Sequence, residues 1–351
     1  MNGYLCYHHN DMDGKGAGNE VYLYLKEKLK IEPLPSMFIM RGYDEPYNED
    51  DYANKVVFIV DLSFTNSSIK KLFTICEGAS KVYWIDHHES SCDCIKDDEI
   101  LKKLKSYDNL TFFVNKSGCG ALLTHLFLFG AFDREEGEFD SEDCLEWNIS
   151  WDDPRNYASY LTVADPEGAT SKHTCDYFLK LIDLWDRWVY GNNINPVLFN
   201  YGAGLHNTSL FAYKTKDDEE KTYNDRFWTV IKNIGSVKNI LEEGRIAKKY
   251  FDSSSAKSVA ASAYEVTILG YKALVLNSNG NSQVFGNKIN DYDLVVLWTY
   301  NGKMGLYQYS FYSSDKSPAN CEKIAKHFNP DGGGHIHASG CSSDKLLFIK
   351  Q

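Results

Sequence analysis

Asp11 and Asp13 stand two positions apart between His9 and Gly14, and these are the first residues in the chain whose types and spacing suit chemistry. Asp61 follows the apolar run Val56-Val57-Phe58-Ile59-Val60, and Asp86-His87-His88 follows Val82-Tyr83-Trp84-Ile85. Each run reads as a buried strand. In an open parallel sheet the strand ends collect along one edge, where ligands bind. Three such ends would gather His9, Asp11, Asp13, Asp61, Asp86 and His87 into one pocket. So many acids at close quarters repel one another unless cations sit between them. Imidazole nitrogens with carboxylate oxygens suit Mn²⁺, Fe²⁺ or Co²⁺ better than Mg²⁺ alone. The chemistry expected of such a pocket is two-metal hydrolysis.

Within the first segment, period-two geometry at a strand end points His9, Asp11 and Asp13 to one side, and Gly14 allows a sharp turn into a helix. The plainer reading is an Asp-rich turn with a helix N-cap at Asp13. Asp61 alone is an ordinary cap candidate. Two adjacent imidazoles beside an acid are harder to explain structurally. The spacing lets His87 reach a metal while Asp86 fixes its tautomer, with His88 facing a phosphate oxygen or a leaving group.

The elements that must position these residues alternate. Strands are expected at Gly3–His8, Met37–Met40, Val56–Val60 and Lys81–Ile85, and helices at Gly14–Lys30, Ser67–Glu77, Gly118–Phe129, Tyr157–Ala164 and Cys175–Val189. Alternation of this kind implies right-handed crossovers and an α/β, doubly wound, mainly parallel sheet. A helical stretch from Asp217 to Tyr250 ends in Phe251-Asp252-Ser253-Ser254-Ser255, and the domain boundary is placed there. Residues 1–245 are then the metal-binding domain, 246–263 a linker, and 264–351 a smaller α/β domain. In the latter, short strands are expected at Tyr264–Leu269, Lys272–Leu276, Leu294–Thr299 and Met304–Tyr312. Helices lie near Ser282–Lys288 and Pro318–Lys326. A Gly-rich loop at Gly332-Gly333-Gly334-His335 then leads to a last strand at Leu346–Ile349.

Bulk properties narrow the function. A chain of 351 residues suggests two domains rather than one. With a net charge of −12 it is poorly suited to a long duplex, which is held by many Lys and Arg contacts. A small phosphorylated substrate or a short strand end, bound through metals, fits better. Part of that charge is peripheral, because Asp133–Asp153 reads as a solvated acidic insertion. No stretch is long and apolar enough to span a bilayer, and Met1–Cys6 lacks the basic-then-apolar pattern of a secretory signal. Nine cysteines without a framework fit reduced thiols in a cytoplasmic protein. Cys92-Asp93-Cys94 is a loop by default and a soft-metal pair at most. Oligomeric state, a homodimer included, is not readable.

Taken together, the motifs resemble those of the DHH phosphoesterase family. His9-x-Asp11-x-Asp13-Gly14 is similar to its first motif, Asp61 to its second and Asp86-His87-His88 to its third. Asp183 in Lys180-Leu181-Ile182-Asp183 is taken for the fourth, with Asp165 and Asp186 as competitors. Gly332-Gly333-Gly334-His335 followed by Ala338-Ser339-Gly340 resembles the hallmark of the associated C-terminal DHHA1 domain. The likeness runs from Leu5 to about Phe348. One departure stands out: Tyr312 occupies the position where such relatives usually carry a substrate-gripping Arg.

The resemblance implies a DHH domain and a DHHA1 domain, with two divalent cations, most often Mn²⁺ and otherwise Mg²⁺ or Co²⁺. His9, Asp11 and Asp61 would hold one cation. Asp13, Asp61, His87 and Asp183 would hold the other, with Asp61 bridging. Asp86 and His88 would serve catalysis, and Gly332, Gly333, Gly334, His335 and Tyr312 would bind substrate. A cleft between domains would size the substrate, closing about Ser253–Ser255. Substrates in the family include very short RNA, phosphoadenosine phosphate, cyclic dinucleotides, single strands and pyrophosphate. The expected activity is hydrolysis of short oligonucleotides (nanoRNA) or small nucleotides to mononucleotides. Opening of a cyclic dinucleotide and phosphoadenosine phosphate hydrolysis are the alternatives. A catalytically silent nucleotide-sequestering protein is the reading from another class. Trp185, Trp188, Tyr309 and Tyr312 are candidates for stacking on bases.

Overall fold

The computed structural model describes residues 3–42, 45–129, 171–187, 193–210 and 234–348. The acidic insertion, the helix expected at Tyr157–Ala164, Asp165 and Trp188 lie outside the described residues. The chain divides into two compact units, Met1–Arg245 and Ile246–Gln351.

In the first unit five strands form one sheet: β1 (Tyr4–His9), β2 (Phe38–Arg41), β3 (Val56–Val60), β4 (Lys81–Asp86) and β5 (Leu110–Val114). All neighbours are parallel, in the order β2-β1-β3-β4-β5. This order reverses at β1, so the crevice outside the carboxyl ends of β1 and β3 is the topological switch point. Strand β5 was not expected from the sequence, although Leu110-Thr111-Phe112-Phe113-Val114 is as β-prone as the others.

Helices cover both faces. On one, Cys6, Phe58, Val60 and Ile85 pack with α1 (Met12–Leu23), α6 (Gly120–Phe129) and α7 (Ser171–Asp186). On the other, Tyr7, Val57, Ile59 and Trp84 pack beneath α3 (Lys70–Gly78), α4 (Glu89–Cys94) and α5 (Asp98–Lys105). A four-residue helix, α2 (Glu49–Tyr52), precedes β3, and α8 (Asn195–Leu210) packs on α7. The two faces explain why β3 is apolar at every position, since a central parallel strand has no wet side. No helix among the described residues is long and apolar enough to cross a membrane.

A single helix, α9, runs from Ile234 to Ser262 through Ser253-Ser254-Ser255. The sequence expectation of a helix ending near Tyr250, with a break in the serines, is corrected. Ala256, Lys257, Ala260 and Ala261 are strong helix formers, while Ser255 and Val259 are buried and anchor the last turns. An ion pair from Lys248 to Asp252 (2.6 Å) supports the same stretch.

The second unit carries a mixed six-stranded sheet of order β10-β11-β9-β8-β7-β6. Its strands are β6 (Tyr264–Ile268), β7 (Tyr271–Asn277), β8 (Leu294–Asn301), β9 (Leu306–Tyr312), β10 (Gly333–His335) and β11 (Ala338–Ser343). Only β7–β8 is parallel. Helix α10 (Cys321–Phe328) packs on one face, where Tyr309, Phe311 and Phe348 meet Ile324 and Ala325. The Gly-rich segment is therefore a hairpin rather than a free loop, and the last strand among the described residues is Ala338–Ser343; Leu346–Phe348 of the expected last strand are not in one, and Ile349 lies outside the described residues.

Because Ser254 sits inside a regular helix, Ser254→Pro should cost about 3 kcal/mol or more, read as a fall in the chemical-denaturation midpoint. A proline tolerated without loss would mean that the serines do form a joint.

Candidate metal centre

The site is built at the switch point from the ends of β1, β3 and β4. β1 ends at His9, and the chain turns at once into α1. Asp11 is the N-cap of that helix: its Oδ1 accepts from the Gly14 N–H (2.8 Å) and its Oδ2 lies 2.8 Å from His9 Nδ1. Asp13 lies inside the helix, so Asp11 and Asp13 share the site through a strand-to-helix turn rather than through strand alternation. The N-cap is Asp11, not Asp13. Gly14 is helical, and its smallness serves close approach: a Cβ there would run into the His9 carbonyl.

Asp13 reaches the N-terminus of α6, where Oδ2 accepts from Gly120 N–H (2.6 Å) and Oδ1 from Ala121 N–H (2.7 Å). The unpaired N–H groups and positive end of α6 neutralise this buried acid. Asp183 uses the same turn, accepting from Cys119 N–H (2.8 Å). Its two oxygens also receive Arg187 Nε (2.7 Å) and Nη2 (2.6 Å). Asp183 is thus committed to Arg187 and α6, and it joins none of the groups of potential ligands. Asp186, on the same helix, does: its Oδ2 lies 3.5 Å from His87 Nε2. Of the fourth-motif candidates, Asp186 shares a group of potential ligands with Asp13 and His87, Asp183 does not, and Asp165 lies outside the described residues. Residues 183 and 186 lie on neighbouring faces of one helix turn, and the sequence could not decide between them.

Three groups of potential ligand atoms gather here: His9, Asp11 and Asp61; Asp61, His87 and His88; and Asp13, His87 and Asp186. Asp61 is common to two of them. His87 Nε2 stands 3.1 Å from Asp61 Oδ1 and 3.3 Å from Asp13 Oδ2. Asp86 is fully buried and holds His88 Nδ1 at 2.7 Å, so it orients His88 and not His87 as the sequence suggested. Cys92 and Cys94 lie buried in α4 with thiols pushed up to about 11 by burial, and they belong to no such group.

Asp61 has the most unusual environment. It is 1% exposed, and neither carboxylate oxygen accepts a well-formed hydrogen bond. Its backbone is left-handed, with φ of 54°, a region that non-glycine residues rarely adopt. Neighbouring contacts impose that turn. Asp61 N–H donates to Ile85 O (2.9 Å), the Trp84 indole N–H to Leu62 O (3.1 Å), and Phe64 N–H to Ser91 Oγ (3.1 Å).

Burial, then Asp13 and Asp11, push the Asp61 carboxyl well above the usual carboxylate range. Burial, reinforced by Asp13, Asp11 and Asp183 and opposed by His87, pushes Asp186 up to about 8. Burial works against a charged His87, but Asp186, Asp13 and Asp61 outweigh it and hold the ring's pKa high. For Asp13, the His87 hydrogen bond overrides burial and keeps the carboxyl low. Like charges this close cannot all ionise. The set therefore fits divalent cations, which would deprotonate Asp61 and Asp186 and fill their empty coordination.

Two residues escaped the sequence reading. A Cβ at Gly120 would lie 2.6 Å from Asp61 Cβ and 2.7 Å from its Oδ1, so Gly120 is what lets α6 approach Asp61. Its signal was a glycine at the head of a mainly apolar helix. Arg41 is paired in register with His9 at the same sheet edge. Its guanidinium lies 5.4 Å from the Tyr7 ring and 5.9 Å from Tyr47, with Asp51 at 3.3 Å. Nothing in the local sequence marks it.

In the second unit His335 is exposed beside the hairpin turn. Gly334 has φ of +137°, and a Cβ at Gly332 would lie 2.8 Å from Ala325 O, so these two glycines meet structural needs. Gly333 faces open space. Tyr312 pairs with Ala338 at the hairpin's root, while its ring packs with the apolar cluster of Val259 and Leu274. Tyr309 is core, and Trp185 is half-buried on α7.

No protein-family model matches the sequence, and no curated protein matches it. Among solved structures, the DHH domain of a member of a ribosomal-protein family is similar at a TM-score of 0.52 and 16% identity, over 97% of this chain and 82% of that one. A pGpG-specific phosphodiesterase from Vibrio cholerae (TM-score 0.40, 13% identity, 97% of this chain and 92% of that one) is more distantly similar. So is RecJ from Thermus thermophilus in complex with Mn²⁺ (0.43, 14%, 98% and 50%). This is a DHH-fold protein, and the residues of the first three motifs stand at the carboxyl edge of its first sheet.

Two outcomes are expected. In metal-free protein the raised Asp61 pKa means that folded chains hold a proton which unfolded chains release above pH about 4. Stability therefore falls as pH rises through that window. Asp61→Asn should flatten the slope, leaving the share that comes from Asp186, and make the metal-free protein more stable at pH 8 by roughly 1–3 kcal/mol, while abolishing the rise in melting temperature on adding Mn²⁺. Gly120→Ala should lower Mn²⁺ affinity by at least about tenfold with circular dichroism unchanged. Calorimetric titration reads this directly.

Proposed function

We propose that the chain is a two-metal phosphodiesterase acting on short oligonucleotides or small nucleotides. The single observation that carries this reading is Asp61: a buried carboxylate with no well-formed hydrogen bond, shared between two groups of potential ligands. His9, Asp11 and Asp61 would hold one cation, and Asp13, His87 and Asp186, with Asp61 beside them, the other. Mn²⁺ suits this mixture of imidazole and carboxylate. When bound, the cations would supply Lewis acidity to a phosphoryl oxygen and a water acidic enough to attack phosphorus near neutral pH.

The chain's own residues supply the rest. Asp86 accepts from His88 Nδ1–H and fixes the ring, so Nε2 is the edge that works; in the charged form it donates to a phosphoryl or leaving oxygen. Asp183 with Arg187, and the α6 N-terminus, lock Asp13 and α7 in place, which keeps Asp186 on its ligand. Arg41, stiffened between two tyrosines and paired with Asp51 (3.3 Å) and Glu45 (3.7 Å), stands at the edge next to His9, where exchanging a carboxylate for a substrate phosphate would keep its charge answered. The hairpin with His335 would bind the nucleotide.

The test is a Mn²⁺-supplemented panel of RNA and DNA oligomers of two to ten units, phosphoadenosine phosphate, cyclic dinucleotides and pyrophosphate. Mononucleotide release from the short oligomers should fall at least about a thousandfold in Asp61→Ala. Asp186→Asn should lose metal affinity, whereas Asp183→Asn should mainly lower thermal stability. Tight binding of intact ligand without turnover would replace the enzyme by a sequestering protein.

A further inference from the structure

Residues 115–121 lead from β5 into α6, and their backbone is given over to the metal centre. Asn115 N–H donates to Asp86 O (3.0 Å), continuing the ladder past the pair Asp86–Val114. Cys119 N–H donates to Asp183, and Gly120 and Ala121 N–H donate to Asp13. Between these anchors Asn115 Oδ1 accepts from Ser117 N–H (2.8 Å) and shapes a tight turn. Lys116 is the middle residue of that turn and the one charged residue from 115 to 121. Neighbouring strands stand about 4.8 Å apart. Lys116 therefore leaves the sheet edge roughly one spacing from Asp86 and two from Asp61, a span of about one nucleotide.

The Lys116 ammonium is not locked into the fold. It pairs with Glu89, the residue after His88 at the head of α4, and the two side chains are 45% and 35% exposed. A pair this open to water adds little stability and is readily exchanged. Arg187, by contrast, is forked onto the fully buried Asp183 and cannot change partner cheaply. Glu89 answers Lys116 with one negative charge. A phosphodiester would bring no more, whereas a phosphate monoester brings nearly two near neutral pH, on three acceptor oxygens. The exchange therefore favours a monoester, which in a nucleotide chain is a terminal phosphate.

We propose that Lys116 trades Glu89 for a terminal phosphate of the substrate, one nucleotide from the bond that is cut, and makes the chain prefer phosphorylated strand ends to bare ones. The proposal rests on the nucleotide-hydrolysing reading above and names the form of its substrate.

The full chain with Mn²⁺ is given one dinucleoside monophosphate in three forms: bare, with a 5′-phosphate and with a 3′-phosphate. The phosphorylated arms share one chemistry, and the favoured arm identifies the end that lies at Lys116. Wild type should favour one of them over the bare form by about tenfold or more in kcat/KM, the effect of one charge-assisted hydrogen bond. Lys116→Ala should bring that ratio close to one through KM, and Lys116→Arg should restore most of it. Glu89→Gln should lower KM on the favoured arm, because phosphate no longer competes with a carboxylate. A purely structural pair predicts a different pattern, in which Lys116→Ala and Glu89→Gln weaken all three substrates alike. That pattern, or a wild type indifferent to the terminal phosphate, overturns the proposal.

If no form is cleaved, the hydrolytic reading fails by itself. Lys116 is then tested by equilibrium binding of the same three ligands. Tighter binding of one phosphorylated form, lost in Lys116→Ala and strengthened in Glu89→Gln, is the expected result. Equal affinity for all three forms sinks it.

Discussion

Burying a carboxylate without well-formed hydrogen bonds is among the costlier things a fold can do, and Asp61 is such a group at the carboxyl end of the sheet's central strand. Its strained backbone turn and its raised pKa have one origin: the surrounding chain has fixed a negative charge where the protein alone does not fully answer it. Proton uptake relieves that state in the metal-free chain, and divalent cations relieve it better. His9, Asp11, Asp13, His87 and Asp186 are arranged around this demand, carried by strand ends, a helix start and α7.

Close approach of backbones makes the arrangement feasible. Without side chains at Gly14 and Gly120, α1 meets the end of β1 and α6 meets Asp61. The head of α6 then does double duty. Its N–H groups neutralise Asp13 and Asp183, so that of five nearby acids two are satisfied by the protein itself. Asp13 keeps its place in a potential ligand group all the same, and Asp11, Asp13, Asp61 and Asp186 with His9 and His87 are a set whose charge two doubly charged ions would balance.

Much of this was legible in the sequence because the chemistry sits where elements change. Val56–Val60 before Asp61 and Val82–Ile85 before Asp86 are period-free apolar runs, and a polar residue directly after such a run marks a strand end. That logic found β1, β3 and β4 and six of the gathered residues. It failed where geometry depends on helix phase or on contacts distant in sequence. Asp183 and Asp186 share one helix, and only Arg187 and Cys119 reveal which is spent on structure. Arg41 acquires its meaning from its register with His9, and Asp86 chooses His88 over His87 by side-chain direction. The serines of α9 looked like a break because Ser is a middling helix former. Tertiary burial of Val259 overrides that preference.

An acidic chain that holds an anionic ligand needs its positive charge concentrated, and here that concentration is divided by chemistry. At the first sheet's edge cations would answer phosphate charge, and Arg41, itself paired with Asp51 and Glu45, is the guanidinium in register with His9. The hairpin of the second unit has Tyr312 where a gripping Arg is expected, and its ring is turned into an apolar cluster. From Ile246 onward the sequence contains no Arg at all, so that unit has no guanidinium fork with which to seize a phosphate. It offers imidazoles and backbone instead, with the His337 ring 3.0 Å from Ser313 Oγ.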